Sequence, residues 1–253
     1  MEAKQVLEIA LSAGQMLMSN GAETYRVEET IERICNSYNL ECECIVTTNG
    51  VFVSVLDINN DKVTSLKKIR STHLDLYRIE LINSFSRSIK NNPVCYEEAE
   101  KALKDIANAP YFTLPVRLMA ASMTSFVYAL FFNGTIYEAT VSAAISIGIY
   151  FMLEKLSKVG SFQFFQFFFS GLIIGATSLI VQSLFPFINK GNVITGAIMI
   201  LIPGVALANG IKDIIYGQFT AGMSKFGEAM LVITAVGAGI GIALTFGVGV
   251  KLW

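Results

Sequence analysis

The sequence predicts an α+β cytoplasmic domain followed by an all-α polytopic membrane domain of about five transmembrane helices. The first observation behind this prediction is an uneven distribution of charge. Residues 1–115 hold 12 Lys/Arg and 16 Asp/Glu, whereas residues 116–253 hold only 7 and 4. The second observation is that the later part contains several apolar runs of about 20 residues, the length that crosses a bilayer as a helix. We therefore place the domain boundary between residues 115 and 116.

Composition narrows the class of protein further. Of the 253 residues, 53% are hydrophobic and 15% are charged, and the mean hydropathy is +0.54. These values are too apolar for an ordinary globular protein. The formal net charge of −1 gives no indication of a nucleic-acid partner. The partner that the composition implies is the lipid bilayer.

The first domain shows two kinds of hydrophobic period. Helical spacing of apolar residues predicts two helices at the start, with Asn20-Gly21 as a C-cap pair between them. A period of two within Cys42–Leu56, with a turn at Asn49-Gly50, predicts a β-hairpin. The predicted elements are therefore a small antiparallel sheet covered by helices. In order, they are helices at Gln5–Met18 and Ala22–Tyr38, the hairpin, a third strand near Lys62–Leu66, and helices at Leu74–Ile89 and Tyr96–Ala107.

The start of the chain and its cysteines indicate a cytosolic location for this domain. The first eight residues include Glu2 and Glu8 and no basic leader before an apolar core, so they are not expected to form a secretory signal. A zinc site using all four cysteines would match no standard ligand spacing, and we expect no cofactor. His73 is expected to be a surface or capping residue. The cysteines, interpreted as reduced thiols, are Cys35, Cys42, Cys44 and Cys95.

The second domain is expected to cross the membrane about five times. A stiff connector with Ala109-Pro110 and Leu114-Pro115 leads into the first span. The Phe-rich stretch Phe162–Phe169 is interpreted as lipid-facing or interfacial. The segment Ile214–Gly227 is too polar and too rich in glycine for a full span, so we expect a loop or a re-entrant piece. The predicted spans lie near residues 117–133, 136–153, 164–186, 193–211 and 229–250.

Small residues and loop lysines predict a helix bundle with a defined orientation. The pairs Gly171/Gly175 and Gly237/Gly241 are each one turn apart, which allows close helix packing. The loops on one side of the membrane carry more lysines than those on the other, and the lysine-rich side is expected to be cytoplasmic, as is the first domain. We therefore expect a multi-pass protein of the inner or plasma membrane. The lysines are Lys155, Lys158, Lys212 and Lys225 on one side, and Lys190 and Lys251 on the other.

The most informative stretch is an apolar run that is broken at Pro203-Gly204. Proline and glycine leave backbone carbonyl groups without helix partners, and inside a membrane these are tolerated only beside protein or a water-filled cavity. Asn209, Lys212 and Asp213 follow the break, and their spacing of three and four places them on one side of a helix. We predict that the break and these three residues line a transport path and bind substrate or an ion.

This group has a chemistry suited to a small charged metabolite. A carboxamide, a cation and a carboxylate on one side of a helix could bind a zwitterion or a carboxylate. The alternative is an ordinary proline kink, in which Lys212 and Asp213 simply mark the point where the helix leaves the bilayer.

A second group of candidate residues lies in the first domain. Glu23, Arg26 and Glu28 fall on one helical surface, where we expect them to pair with one another or to dock this domain against the membrane part. A solvated charged face is the alternative. Thr48 and Asn49, in the predicted hairpin turn, are grouped with them as docking or regulatory candidates.

Two other classes of protein remain as alternatives to a transporter. A membrane-anchored hydrolase would need an acid/base set, for which we could propose only Glu23, Glu28 and Thr48, and no nucleophile motif accompanies them. The chain is therefore not expected to be an enzyme. The other alternative is a sensor whose soluble domain binds a ligand.

Three stretches carry a family resemblance: Met16–Ile34, Thr47–Val53 and Gly196–Leu231. They resemble the threonine/serine exporter family, and the likeness covers essentially the whole chain. The most specific motif runs from Pro203 to Asp213. The resemblance implies export of small amino acids or dicarboxylates, driven by a proton gradient. The chain looks like the larger subunit of the two-protein form of the family, similar to a bacterial pair implicated in succinate export.

The predicted number of spans also bears on partners. Five spans cannot contain two equal inverted halves, whereas many exporters alternate access by moving two repeats around a central site. We expect the second half to come from a smaller membrane protein of the same family, or from a second copy of this chain.

Overall fold

The computed structural model describes residues 1–56, 62–157 and 163–249. The chain divides into two compact units. The first consists of Met1–Pro110 with Val205–Phe226, and the second of Tyr111–Gly204 with Gly227–Trp253. This division differs from the predicted boundary after residue 115 chiefly in the placement of Val205–Phe226. The predicted membrane boundary itself stays a prediction.

The amino-terminal part of the first unit has the predicted α+β order. Its sheet is antiparallel with strand order β1-β2-β3, so the predicted hairpin and third strand are confirmed. The elements are α1 (Ala3–Ser19), α2 (Thr24–Ser37), β1 (Cys42–Thr47), β2 (Gly50–Leu56), β3 (Lys62–Lys68), α3 (Leu76–Asn91) and α4 (Tyr96–Ala107).

The core of this unit lies between the sheet and the helices. Val51, Val53 and Val55 alternate along β2 and are buried, as a strand with one covered face requires. Helices α1 and α2 pack closely because α1 has a glycine at the contact: a Cβ added at Gly14 would lie 2.7 Å from the side chain of Ile31. This packing positions the short connection between α1 and α2, which becomes important below.

Six helices follow in the described part of the chain. They are α5 (Leu114–Phe131), α6 (Ile136–Ser157), α7 (Gln163–Leu184), α8 (Lys190–Ile198), α9 (Gly204–Ile215) and α10 (Phe219–Gly249). Pro115 lies in the first turn of α5, where a proline is well tolerated, and not in a connector as predicted. In the described residues, four helices are long and apolar enough to cross a membrane, within α5, α6, α7 and α10.

The predicted fourth span is not a continuous helix. Helix α8 ends at Ile198 and α9 begins at Gly204, so the predicted break at Pro203 is present. At about 1.5 Å per residue, neither piece alone reaches the roughly 30 Å of a hydrocarbon core. The count of five spans therefore stays a prediction.

The segment after Asp213 is a helical hairpin. The loop alternative for Ile214–Gly227 is therefore wrong for most of its length, and the re-entrant alternative stays a prediction. Helix α9 continues to Ile215, a short turn follows, and α10 begins at Phe219. Gly217 makes the turn with φ +88. The two helices touch at glycines, because a Cβ added at Gly222 would lie 2.6 Å from the carbonyl oxygen of Gly210. This hairpin, residues 205–226, belongs to the first unit.

The two glycine pairs of the membrane helices differ in their surroundings. A Cβ added at Gly175 of α7 would lie 2.7 Å from the Cβ of Ala243 in α10, and one at Gly171 would clash with the carbonyl oxygen of Val236. The first pair therefore packs α7 against α10 within this chain. Among the described residues, nothing lies within 4 Å of a Cβ added at Gly237 or Gly241.

Candidate functional site

A fully buried carboxylate, that of Asp213, lies in the helical hairpin formed by α9 and the start of α10. Asp213 is 0% exposed, and its oxygens accept three hydrogen bonds. Two come from one residue, the backbone N–H of Thr24 at 2.8 Å and its hydroxyl at 3.0 Å. The third comes from the ammonium of Lys225 at 2.7 Å. Burial of a charge is costly unless it is paired and hydrogen-bonded, and here both conditions are met.

The position of Thr24 follows from how α1 ends. The helix stops at Asn20, and Gly21 adopts φ +83, a left-handed conformation that glycine accepts without strain. The chain then turns into α2, with Glu23 as the N-cap. Thr24 is the first residue of that helix, so its N–H has no acceptor within the helix. Asp213 supplies the acceptor, and its negative charge suits the positive end of the helix dipole.

The hairpin also binds the backbone of the connecting segment, residues Gly21–Thr24. The carboxamide of Asn209 donates to the carbonyl oxygen of Gly21 at 2.9 Å. The ammonium of Lys225 donates to the carbonyl oxygen of Ala22 at 2.9 Å. The helical hairpin therefore binds the connecting segment through two carbonyl oxygens of the segment, in addition to the N–H and hydroxyl of Thr24.

A charged rim surrounds this centre. The ammonium of Lys212, which is half exposed, lies 3.0 Å from one carboxylate oxygen of Glu23. The other oxygen of Glu23 lies 3.4 Å from the guanidinium of Arg26. Burial raises the pKa of Glu23, but its own backbone N–H, the Lys212 ammonium and the Arg26 guanidinium outweigh this effect and bring the pKa below its ordinary value. Glu23 is thus held in its charged form.

Glu28 lies in an environment of the opposite kind. Its carboxylate accepts a hydrogen bond from Gln218 at 2.7 Å. Burial raises the pKa of Glu28, and the neighbouring charges of Glu32 and Asp213 add to that effect. The rim therefore combines one carboxyl group whose pKa is lowered, Glu23, and one whose pKa is raised, Glu28. The rings of Tyr25 and Tyr216 stack beside them, with centroids 4.1 Å apart.

The structure brings together some of the predicted site residues and leaves others apart. Asn209, Lys212 and Asp213 share one side of α9, as predicted, and all three contact the connecting segment. Pro203 and Gly204 lie at the helix break and take no part in these hydrogen bonds among the described contacts. An apolar cavity of about 200 Å³ lies beside the break in the second unit, lined by residues that include Ile202, Val236 and Ile240.

The remaining candidates of the first domain divide in the same way. Glu23, Arg26 and Glu28 contact one another or the hairpin. Thr48 and Asn49 form the turn of the β-hairpin, and Asn49 is exposed, with its carbonyl oxygen bound to the N–H of Ile69 at 2.9 Å. In the part of the chain that the structure describes, neither turn residue is hydrogen-bonded to Asn209, Lys212, Asp213 or Lys225.

Sequence reasoning missed Thr24 and Lys225. Lys225 was interpreted as a loop charge, but it lies in the first turns of α10 and its side chain is largely buried. Only a prediction of the helical hairpin between α9 and α10 would have placed Lys225 opposite Asp213 and indicated this ion pair. Thr24 lies within a stretch that carries the family resemblance, yet nothing in its local pattern indicates a partner 189 residues away.

Other polar clusters have explanations of their own. In the second unit the buried carboxylate of Glu138 accepts bonds from the N–H groups of Thr135 and Asn189, both at 2.7 Å, and so links the starts of α6 and α8. In the first unit all four cysteines are free thiols, and burial raises the pKa of Cys44 to about 12. Among the described residues, no group of three or more His, Cys, Asp or Glu side chains is arranged to hold a metal ion.

Comparisons with known proteins agree on one family. Residues 8–247 match the family described as "Putative threonine/serine exporter". The chain is 23% identical over 249 residues to "Probable threonine/serine exporter" of Mycobacterium tuberculosis (strain ATCC 25618 / H37Rv), an alignment that covers 96% of this chain and 46% of that protein. It is 22% identical over 247 residues to "Threonine/serine exporter" of Corynebacterium glutamicum, with 94% and 50% covered.

A further relative has nearly the same length as this chain. "Probable succinate transporter subunit YjjP" of Escherichia coli (strain K12) is 20% identical over 254 residues, and the alignment covers 100% of this chain and 98% of that protein. The chain thus spans about half the length of the first two relatives and nearly all of the third. No solved structure matches the chain.

Proposed function

This chain belongs to the threonine/serine exporter family and is a multi-pass membrane transport protein, not an enzyme, and we propose that it is a subunit of a secondary exporter. Its cargo is a small amino acid such as threonine or serine, or a dicarboxylate such as succinate, as the names of its relatives suggest. Export is driven by a proton gradient.

The observation that carries this proposal is the buried pair of Asp213 and Lys225 in the hairpin that follows a broken helix. A carboxylate that is 0% exposed and bonded to a lysine is expensive to bury, and such groups in membrane transport proteins serve substrate binding or proton relay. Asn209 and Lys212 extend the same site. The Pro203-Gly204 break supports it by interrupting the helix that leads into the site.

Proton coupling is assigned to Asp213 in this proposal. Protonation of the carboxylate would remove its attraction for the Lys225 ammonium and weaken its bonds to Thr24, since charge-assisted hydrogen bonds are roughly twice as strong as neutral ones. Loss of the negative charge of Asp213 would thereby weaken the contact between the helical hairpin and the connecting segment.

The proposed arrangement in the membrane has five crossings. One of the five is the predicted span near residues 193–211, which the Pro203-Gly204 break interrupts. The amino-terminal domain faces the cytoplasm at the inner or plasma membrane. A smaller membrane protein of the same family supplies the second half of the transporter. The subunit designation of the Escherichia coli relative and the double length of two other relatives support a hetero-oligomer, with a homo-oligomer as the alternative.

Flux into inverted membrane vesicles tests the proposal. Vesicles holding this chain and its candidate partner should take up labelled serine, threonine or succinate in a pH-dependent manner. The Asp213→Asn variant should lose at least about tenfold in rate, because it removes a charge from three hydrogen bonds. Asp105→Asn, an exposed position on α4, serves as the matched control and should retain flux.

Two results would contradict the proposal. One is the absence of flux for all three labelled substrates from a complex shown to be folded. The other is unchanged flux and unchanged pH dependence in Asp213→Asn, which would show that Asp213 belongs to neither the substrate site nor the proton-coupling site.

A further inference from the structure

The three-stranded sheet of the amino-terminal domain has one covered face and one open face. Val51, Val53 and Val55 of β2 are buried in the core, so the residues between them point the other way. We propose that this open face, called the outer face below, binds the outer face of a second copy of this chain. The inference goes beyond the proposed function and does not depend on the site at Asp213. The outer-face residues that carry the argument are Glu43, Ile45, Phe52, Ser54, Lys62 and Leu66.

Three large apolar side chains lie side by side across the outer face. Ile45 is paired with Phe52 in the ladder of β1 and β2, and Phe52 is paired with Leu66 in the ladder of β2 and β3. The exposed fractions of Ile45, Phe52 and Leu66 are 66%, 42% and 59%. Single exposed apolar residues are ordinary in proteins, whereas a contiguous apolar row marks an interaction surface.

The charges on the two sides of this row have opposite signs. Glu41 and Glu43 lie at the β1 edge, and Lys62 and Lys68 lie on β3 at the other edge, all four exposed. The alternation of side chains along a strand places these four on the outer face. The ammonium of Lys62 lies 2.7 Å from a carboxylate oxygen of Glu43, as two side chains on the same face can. The outer face therefore has an acidic edge, an apolar centre and a basic edge.

This pattern is complementary to itself in one orientation. A two-fold axis that is parallel to the strands and lies between two stacked sheets places β1 of one copy over β3 of the other. The acidic edge of each copy then faces the basic edge of the other, Phe52 packs on Phe52, and Ile45 packs on Leu66. An axis across the strands would instead bring Glu43 against Glu43, which is unfavourable.

An anionic lipid surface matches the outer face less well. Such a surface attracts Lys62 and Lys68 but repels Glu41 and Glu43. The polar side of a segment that binds a membrane surface is usually rich in lysine and arginine, without an equal number of carboxylates. A second outer face satisfies both signs of charge, so a second copy is the occupant that the charges favour.

The size of the outer face indicates how stable this contact is. Three strands of about seven residues form a face of roughly 14 by 23 Å. This is smaller than the roughly 800 Å² per partner of a standard interface, so the contact is expected to be weak between freely diffusing molecules. Confinement of both copies to one bilayer raises their effective concentration and favours the pair. The experiments therefore use the full-length chain in bilayers.

Cross-linking at the centre of the outer face tests the contact. Under the proposed symmetry Ser54 of one copy faces Ser54 of the other, so Ser54→Cys should give a covalent dimer with a short bismaleimide. The parent for this experiment is Cys95→Ser, because Cys95 is an exposed thiol and serine is a favoured residue at its N-cap position. The parent without Ser54→Cys should give no dimer beyond the background of its other thiols.

A charge placed in the apolar row should abolish the cross-link. Phe52→Glu, added to Ser54→Cys, should lower the dimer fraction by at least about tenfold, because central aromatic residues dominate binding and a two-fold axis counts the change twice. Tyr77→Glu is the matched control, since Tyr77 is an exposed aromatic residue of α3, 56% exposed, outside the sheet. Its dimer fraction should not change.

Reversal of the edge charges tests the orientation. Glu43→Lys and Lys62→Glu should each lower the dimer fraction by roughly threefold, and the two together should restore it. Both side chains are more than half exposed, so neither change is expected to prevent folding. Equal dimer fractions in all four combinations would show that β1 does not lie over β3.

Nanodiscs that hold one or two copies distinguish a second copy from lipid. A membrane-impermeant maleimide should label Ser54→Cys faster in one-copy discs than in two-copy discs. Equal labelling in the two kinds of disc, with Ser54→Cys protected in both, would place the outer face on lipid and overturn the inference. Absence of the cross-link, or equal dimer fractions in Phe52→Glu and Tyr77→Glu, would also overturn it. None of these measurements requires transport, so the proposed function stands or fails separately.

Discussion

At the scale of single residues, the buried pair of Asp213 and Lys225 is the feature that most strongly constrains this protein. The same distance between charges has different consequences at different depths. Lys225 and Asp213 are 2.7 Å apart with side chains 12% and 0% exposed, whereas Lys104 and Glu100 of α4 are also 2.7 Å apart but 65% and 42% exposed. Water screens the second pair and not the first.

Substitution of the two lysines should therefore give very different results. Lys225→Met keeps the aliphatic stem but leaves Asp213 buried without its cation, so the free energy of unfolding should fall by about 3–5 kcal/mol. Lys104→Met should change it by about 0.5 kcal/mol or less. Denaturant unfolding of the purified chain in detergent measures both. Similar losses in the two variants would show that Asp213 is relaxed or hydrated in solution.

At the scale of helices, close packing depends on which face of a helix carries glycine. Helix α10 places Gly239, Ala243 and Gly247 against α7, where a Cβ added at either glycine would meet α7 atoms. Gly237 and Gly241 lie on a different face of the same helix, where no atom of the described residues comes within 4 Å of an added Cβ. The sequence pattern of small residues four apart is the same on both faces, so it identifies packing helices without identifying the packed face.

A pair of alanine substitutions distinguishes the two faces. Gly171→Ala in α7 puts a methyl group into the backbone of Val236 and should lower the thermal unfolding midpoint in detergent, at a cost of roughly 1–3 kcal/mol. Gly237→Ala meets nothing within 4 Å in the described structure and should leave the midpoint unchanged or raise it, because alanine favours a helix by about 1 kcal/mol over glycine. The assigned α7–α10 packing would be wrong if Gly171→Ala had no effect.

At the scale of the whole molecule, the central expectation is a second membrane subunit. This chain spans about half the length of two relatives and matches a relative named as a subunit over 98% of its length. If the chain crosses the membrane five times, as proposed, this odd number also cannot supply two equal inverted halves. Alternating access would then require helices from another chain.

Co-expression with the smaller membrane protein of the same family should yield a stable complex that contains both chains. Mass measurement in mild detergent, with and without that second protein, gives the stoichiometry. The chain expressed alone should not support flux. A closed homo-oligomer that transports unaided would contradict the prediction and make a second copy of this chain the source of the missing half.

The sequence was sufficient for those features that depend on local patterns. Apolar period predicted the helices and the strands, and Pro203 predicted the helix break, because each of these reflects the backbone preferences of a few neighbouring residues. The predicted hairpin turn at Asn49-Gly50 is displaced by one residue, because Gly50 already belongs to β2 and the turn is made by Thr48 and Asn49. Spacing also placed Asn209 and Asp213 on one side of α9. The resemblance carried by the same stretches led to the family that the comparisons found.

The partners of the site residues were decided by packing. Thr24 lies 189 residues before Asp213, and no helical or strand period relates positions so far apart. The helical hairpin that carries Lys225 to Asp213 depends on glycine contacts between two helices. The position of the Thr24 N–H, which has no acceptor within α2, depends on where α1 ends and α2 begins. Periodicity in a sequence records which face of an element is buried, whereas the identity of the atoms that meet there is set only when the elements pack against each other.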